Sequence, residues 1–286
     1  MVKWHLTVIH LKSLGGTQMF KDLYLFMKDI YQNRKLLLQF SINDFKSRYA
    51  GSFLGILWAF INPLFTVLIY WLVFGIGLKA QMIDAKYPFI VYLVTGMIPW
   101  FFFSDAFAST TVVFREYTYL VKKVVFNIRI LPTTKILSNL YTHLFFILIG
   151  IAVALINGIY PSAMSLQLIY YLFCMCAFLT GLTWLTASIQ PFLPDIMQLI
   201  TIVLQLIMWT LPILWSPNQF DSGLVSILKL NPLYYVVQGY RESFLSEAWF
   251  WEHGTYTLYF WVFTLVMFVI GSAVFRRLKP HFSDVL

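Results

Sequence analysis

The chain has 286 residues, of which 60% are hydrophobic and 11% charged, with a net charge of +8 and a mean hydropathy of +0.75. Charged residues make up about a quarter of an ordinary soluble domain, so a water-soluble fold is excluded and lipid is the solvent for most of the surface. The basic excess does not point to nucleic acid, because Lys and Arg cluster at the ends of apolar runs, where they meet anionic headgroups.

Residues 1–19, with Gly15, Gly16 and scattered lysines, are expected to form a flexible leader. No continuous apolar stretch precedes a small-residue cleavage site there, so a secretory signal peptide is not expected. Residues 20–49 are amphipathic. Leu23, Phe26, Met27 and Ile30 repeat at helical spacing, followed by Leu38, Ile42, Phe45 and Tyr49, and Asp44 and Arg48 form an i,i+4 pair. Such a helix is expected to lie in the headgroup plane; packing on a partner subunit is the other reading.

From Ala50 to Leu78 there is no Asp, Glu, Lys or Arg. At about 1.5 Å per residue this run exceeds the roughly 30 Å hydrocarbon core. Lys46 and Arg48 sit outside one end and Lys79 outside the other. Gly51 and Gly55 make a small-xxx-small pair that would let another helix approach closely. Further spans are predicted over 87–114, 136–160, 165–189, 196–215 and 255–275, six in all with 50–78. Cys174 and Cys176 lie two apart in one apolar run, so they point to different faces and read as apolar filler rather than a disulfide.

Between the spans two segments stand out. Residues 115–129 read REYTYLVKKVVFNIR, a basic turn that fits a short helix parallel to the membrane, serving as a connector or as a docking surface. Residues 216–254 are too long for a turn and too apolar for a solvated loop. Leu224–Leu230 and Leu233–Leu245 are too short to cross, so a pair of re-entrant helices turning at Asn231-Pro232 is expected; an external amphipathic cap is the alternative. Residues 276–286 form a basic tail. With six spans both termini share a side, and 16 of the 20 Lys and Arg fall in the segments on it, which places both termini in the cytoplasm.

Asp105 is the one acidic residue well inside an apolar run. A carboxylate facing acyl chains is costly, so it is expected to line a cavity or to serve the structure rather than to relay protons; His143 is the other titratable candidate. Tyr70, Trp71, Phe74, Trp100 and Phe101, with Trp209 and Trp215, supply faces suited to stacking on sugar rings along a substrate path, or equally to interfacial belts and packing. No catalytic or metal-binding motif is present, and no G-x-x-x-x-G-K-[ST], so no nucleotide is held in the P-loop manner. No cofactor is expected on this chain.

The blocks FKSRYAGSFLGILWAFINPLF, YPFIVYLVTGMIPWFFFSDA, LVKKVVFNIRILP, LPILWSPNQF and LKLNPLYYVVQGYRESFL, in this order, resemble the membrane subunit of type-2 ABC transporters, in particular the polysaccharide-export permeases. The resemblance runs from about Phe20 to the C-terminus. It departs at Phe126-Asn127-Ile128-Arg129, where the family has Phe-Pro-Arg, and at Pro194-Asp195, where it has an Arg-Asp pair.

The resemblance implies an all-α integral membrane fold with six spans, an N-terminal interface helix ending at Phe45, Lys46, Arg48 and Tyr49, and a coupling helix over 115–128. That helix would dock on a separate ATPase chain through Arg115, Glu116, Tyr117, Tyr119, Leu120, Lys122 and Lys123. Two re-entrant helices would gate the exit near Asn231, Pro232, Tyr240 and Arg241. It further implies a multi-pass protein of the bacterial cytoplasmic membrane working as two copies with two nucleotide-binding subunits that carry ATP and Mg. The expected cargo is an undecaprenyl-linked polymer, teichoic acid ahead of O-antigen. The rival readings are a drug or lipid exporter on the same scaffold, an ion-coupled carrier using Asp105, and a glycosyltransferase using Glu242, Glu247 and Glu252.

Overall fold

In lipid a backbone can satisfy its polar groups only within helices or closed barrels, and this chain uses helices. The computed structural model describes residues 16–78, 87–123 and 127–286, with no strand among them. Most of the expected leader, the loop from Lys79 to Lys86 and Val124–Phe126 lie outside the described residues.

The amphipathic N-terminal region is two helices, α1 (Gly16–Gln32) and α2 (Arg34–Arg48), rather than one over 20–49. The break falls at Asn33, whose Nδ2 donates to the Asp29 carbonyl. The buried face also differs from the apolar stripe. Leu37, Ser41 and Asp44 are buried, whereas Leu38 and Ile42 are exposed. Polar Ser41 turns inward because its hydroxyl meets Tyr141 Oη at 2.8 Å.

Five helical stretches are long and apolar enough to cross a bilayer: Gly55–Gly77, Phe89–Thr111, Ile128–Ile156, Ala163–Ile189 and Phe250–Val285. They contain α3 (Trp58–Tyr70), α4 (Phe89–Thr111), α7 (Leu131–Ile156), α8 (Gln167–Ile189) and α12 (Gly254–Leu278). Between α4 and α7 lie two single turns, α5 (Val113–Glu116) and α6 (Thr118–Val121). The first span starts at Gly55 rather than at 50. Gly51 (φ +86°) and Gly55 (φ +53°) occupy the left-handed region that favours glycine, with nothing within 4 Å of an added Cβ. The pair therefore makes a turn, not the helix contact expected of it. Past Tyr70 the helix widens into π turns over Trp71–Gly77.

The run 196–215 gives only α9 (Ile196–Thr210), about 22 Å long at the usual rise. Pro212 ends it: the residue before a proline is pushed to extended backbone, and Leu211 adopts φ −85°, ψ 144°. The segment 216–254 forms α10 (Ser222–Leu228) and α11 (Pro232–Leu245), joined at Asn231, whose Oδ1 accepts from the Leu233 amide at 3.0 Å. The chain closes with a short turn, α13 (Phe282–Val285).

The core lies where α4, α7, α8, α11 and α12 meet. α4 is its centre, with 67% of its apolar window buried, while the first span is peripheral at 6%. α8 and α12 make the closest approach: a Cβ on Gly181 would lie 2.7 Å from the Phe268 amide nitrogen. α11 is buried nearly throughout, including Tyr240 and Arg241.

Candidate functional site

Opposite ends of α4 each carry a cavity. The first, about 830 Å³, lies where α2, α3, α4, the α5–α6 turn and the start of α7 converge, and Asp105 and Ser109 line it. A buried ionic cluster forms its wall. Lys135 Nζ bonds Asp44 Oδ1 at 2.6 Å and also pairs with Glu116. Arg48 reaches Asp44 at 3.3 Å and donates to Asn139 Oδ1 at 2.7 Å. Tyr117 Oη donates to Asp44 Oδ1 at 2.9 Å, and Asn139 Nδ2 donates to Ser109 Oγ at 2.9 Å. One carboxylate thus joins α2, the α5–α6 turn and α7. Burial alone would raise the Asp44 carboxyl, but the Lys135 charge and the hydrogen bonds of Lys135, Ser138 and Tyr117 outweigh it and hold it below the ordinary carboxylate range.

The α5–α6 turn is built with an inner and an outer side. Leu120 is buried and Tyr117 turns inward, so both anchor the turn. Arg115, Tyr119, Lys122 and Lys123 are exposed and form a basic, aromatic outer surface. The expected helix over 115–128 is therefore two short turns, interrupted at Tyr117. Arg129 ties the following segment to α1 through Asp29 at 3.6 Å. Phe45 packs between Tyr49 and Tyr141 at ring distances of 6.0 and 5.7 Å, Tyr49 lines the cavity, and Lys46 points outward.

The second cavity, about 680 Å³, lies between the start of α4, the 216–218 segment, Lys229 at the end of α10, α11 and the start of α12. Arg241 dominates its inner wall. Its guanidinium lies 3.5 Å from the Tyr92 ring centroid, and its Nη2 donates to the Pro212 carbonyl at 2.5 Å. The carbonyl freed where Pro212 breaks α9 is satisfied in this way. Nη1 donates to Gln238 Oε1 at 3.1 Å; Gln238 Nε2 donates to Glu242, and Glu242 Oε2 meets His253 Nε2 at 2.8 Å. Tyr240 is buried instead of lining the cavity, with its hydroxyl 2.8 Å from His143 Nε2. His143, stacked on Phe102, is a hydrogen-bonded core histidine.

The aromatic set does not form one lining. Trp100 is buried in the core against Phe103, and Phe101 faces the first cavity. Tyr70, Trp71 and Phe74 stand half-exposed on the first span, and Tyr70 Oη reaches Met208 Sδ on α9 at 3.9 Å. Trp209 is exposed, and Trp215 Nε1 donates to its carbonyl at 3.1 Å. Glu252 accepts from the Trp249 amide and does not join Glu242 and Glu247 at the second cavity. No group of three metal-ligating side chains occurs among the described residues. Lys135, Asn139 and Ser109 were not singled out from sequence; a lysine one residue before a predicted span was the available signal.

Residues 36–245 match the family described as ABC-2 type transporter. The chain is 25% identical over 252 residues to the O-antigen export system permease protein RfbA of Klebsiella pneumoniae, covering 88% of this chain and 95% of that protein. It is 25% identical to its namesake from Myxococcus xanthus, covering 90% and 98%. It is 24% identical to the polysialic acid transport protein KpsM of Escherichia coli, covering 82% and 90%. With its helical spans and a match over most of its length, the chain belongs to the ABC-2 type transporter family.

Proposed function

We propose that this chain is the transmembrane permease subunit of an ABC exporter that moves a lipid-linked cell-surface polysaccharide out across the cytoplasmic membrane, driven by a separate ATPase chain. The observation that carries the reading is the two-sided α5–α6 turn. Its outer side offers Arg115, Tyr119, Lys122 and Lys123 to a partner, and its inner side is bonded through Glu116 and Lys135 to Asp44 on the interface helix. A push on the outer side is passed to α2 and α7 without an intervening loop.

α9 with the turns over 211–215 that follow it serves as the sixth span, which puts both termini in the cytoplasm and the second cavity outside. Two copies assemble through the apolar faces of α3 and α9, where Phe65, Ile69, Leu199 and Leu206 are exposed, and two ATPase subunits bind ATP and Mg beneath them. The head of the cargo enters beside Arg48 and Tyr49. The polymer passes Tyr70, Trp71, Phe74, Trp209 and Trp215, and the α10–α11 pair gates the exit. Asp105 lines the inner cavity rather than carrying protons. The named relatives handle O-antigen and polysialic acid, which supports a lipid-linked glycan over a drug; teichoic acid, the sequence-based expectation, falls in the same class. Reconstitution with the cognate ATPase in proteoliposomes tests this. ATP must drive lipid-linked polymer to the opposite face, and transport driven by a proton gradient without ATP would refute the proposal.

A further inference from the structure

The second cavity holds more chemistry than a gate needs. Six tyrosines line it: Tyr87, Tyr92, Tyr234, Tyr235, Tyr256 and Tyr259. Tyr87, Tyr92 and Tyr259 donate their hydroxyls to backbone carbonyls, which holds the rings in place and leaves those oxygens as acceptors, and exposed Tyr256 presents an aromatic ring at the rim. Along the same wall the planar polar groups of Arg241, Gln238, Glu242 and His253 are already bonded to one another in a row, which fixes their orientation before any ligand arrives.

Arg241 is almost wholly buried yet has no carboxylate within ion-pair distance among the described residues, and its Nε has no hydrogen-bond partner. The outer rim is held in place from α12. Tyr259 Oη donates to the Leu230 carbonyl at 2.6 Å, and Lys229 Nζ lies 4.9 Å over the Tyr256 ring. The volume of about 680 Å³ falls within the roughly 300–1,000 Å³ of small-ligand sites. Stacking faces, side-chain forks that engage neighbouring hydroxyls and a preformed shape together match a pyranose ring. They do not match a lipid tail, which has no use for the polar row, or a metal ion, for which the cavity is too wide.

We propose that this cavity is a glycan-binding subsite within each copy of the permease, taking a short run of sugar rings on the outer side. It rests on the proposed orientation and cargo and adds a saccharide site beside the translocation path. Its place next to α10 and α11 means that an occupied subsite would hold the emerging chain against backsliding between ATPase cycles.

The test uses the intact permease–ATPase complex in nanodiscs without ATP. Two soluble probes, neutral maltoheptaose and anionic α2,8-linked tetrasialic acid, are titrated by saturation-transfer NMR and calorimetry. At least one is expected to bind, with contacts on tyrosine ring protons. Tyr256→Ala and Lys229→Ala alter the rim without opening the core, and each should weaken binding at least tenfold. If neither probe binds the wild-type complex, or both variants bind as tightly as wild type, the subsite is refuted. ATP-driven polymer export by the same preparation is scored separately. Export without oligosaccharide binding removes the subsite alone, whereas loss of export in the wild-type complex removes the transport proposal.

Discussion

Lys135, at the start of α7, and Asp44, near the end of α2, are joined at 2.6 Å with both side chains at most 6% exposed. Breaking a buried pair from one side costs about 3–5 kcal/mol where the remaining charge is left unpaired; here Asp44 loses its closest counter-charge and keeps Arg48 at 3.3 Å and the Tyr117 hydroxyl. Lys135→Met should therefore lower the thermal stability of the purified permease sharply. The double variant with Asp44→Asn should recover part of the loss. Additive losses in the double-mutant cycle would mean that the two groups act independently.

The same pair sets a pH dependence. The folded Asp44 carboxyl titrates below its unfolded value near 3.9. Its contribution is thus fully present above about pH 4 and is lost as the pH falls through the folded pKa. Thermal unfolding followed from pH 7 to pH 3 should show a late acid loss in the wild type, and Asp44→Asn should flatten that part of the profile.

Close packing of α8 on α12 depends on absent side chains. Gly181→Ala would press a methyl group against the Phe268 backbone, which cannot step aside, and overpacking of this sort costs about 1–3 kcal/mol. Gly223→Ala in α10 meets nothing within 4 Å and should be neutral. Melting temperatures of the two variants, compared in one detergent, check the contrast.

Much of this architecture was legible in the chain because lipid imposes long uncharged helices, and Asn231-Pro232 and Asn157-Gly158 mark their turns by simple backbone rules. The misreadings share a cause. Gly51 and Gly55 were spaced for a helix contact, but spacing does not reveal a positive φ. The stripe of Leu38 and Ile42 says nothing of the opposite face of α2, which meets α7 through Ser41 and Asp44, because the partner surface there is Tyr141, Lys135 and Asn139. Trp100 and Trp209 look alike in sequence, though one is core and the other surface. A cluster assembled from Asp44, Glu116 and Lys135 is invisible until three distant segments are brought together.

Orientation is open to a direct check. In a background with Cys174 and Cys176 replaced by alanine, cysteines at the exposed positions Lys122 and Trp251 are expected on opposite sides of the membrane. An impermeant maleimide added to whole cells should label Trp251→Cys and spare Lys122→Cys. The reverse pattern would invert the topology.

The central claim is that the motor is a different molecule held through the α5–α6 turn. The most direct measurement is ATP hydrolysis by the purified permease alone, with its cognate ATPase, and with that ATPase plus a variant in which Arg115, Lys122 and Lys123 are changed to glutamate. We expect no hydrolysis by the permease alone, a stable complex with polymer-dependent hydrolysis for the wild-type pair, and loss of both for the variant. Hydrolysis by the permease without a second chain, or an undiminished complex with the charge-reversed turn, would contradict the account.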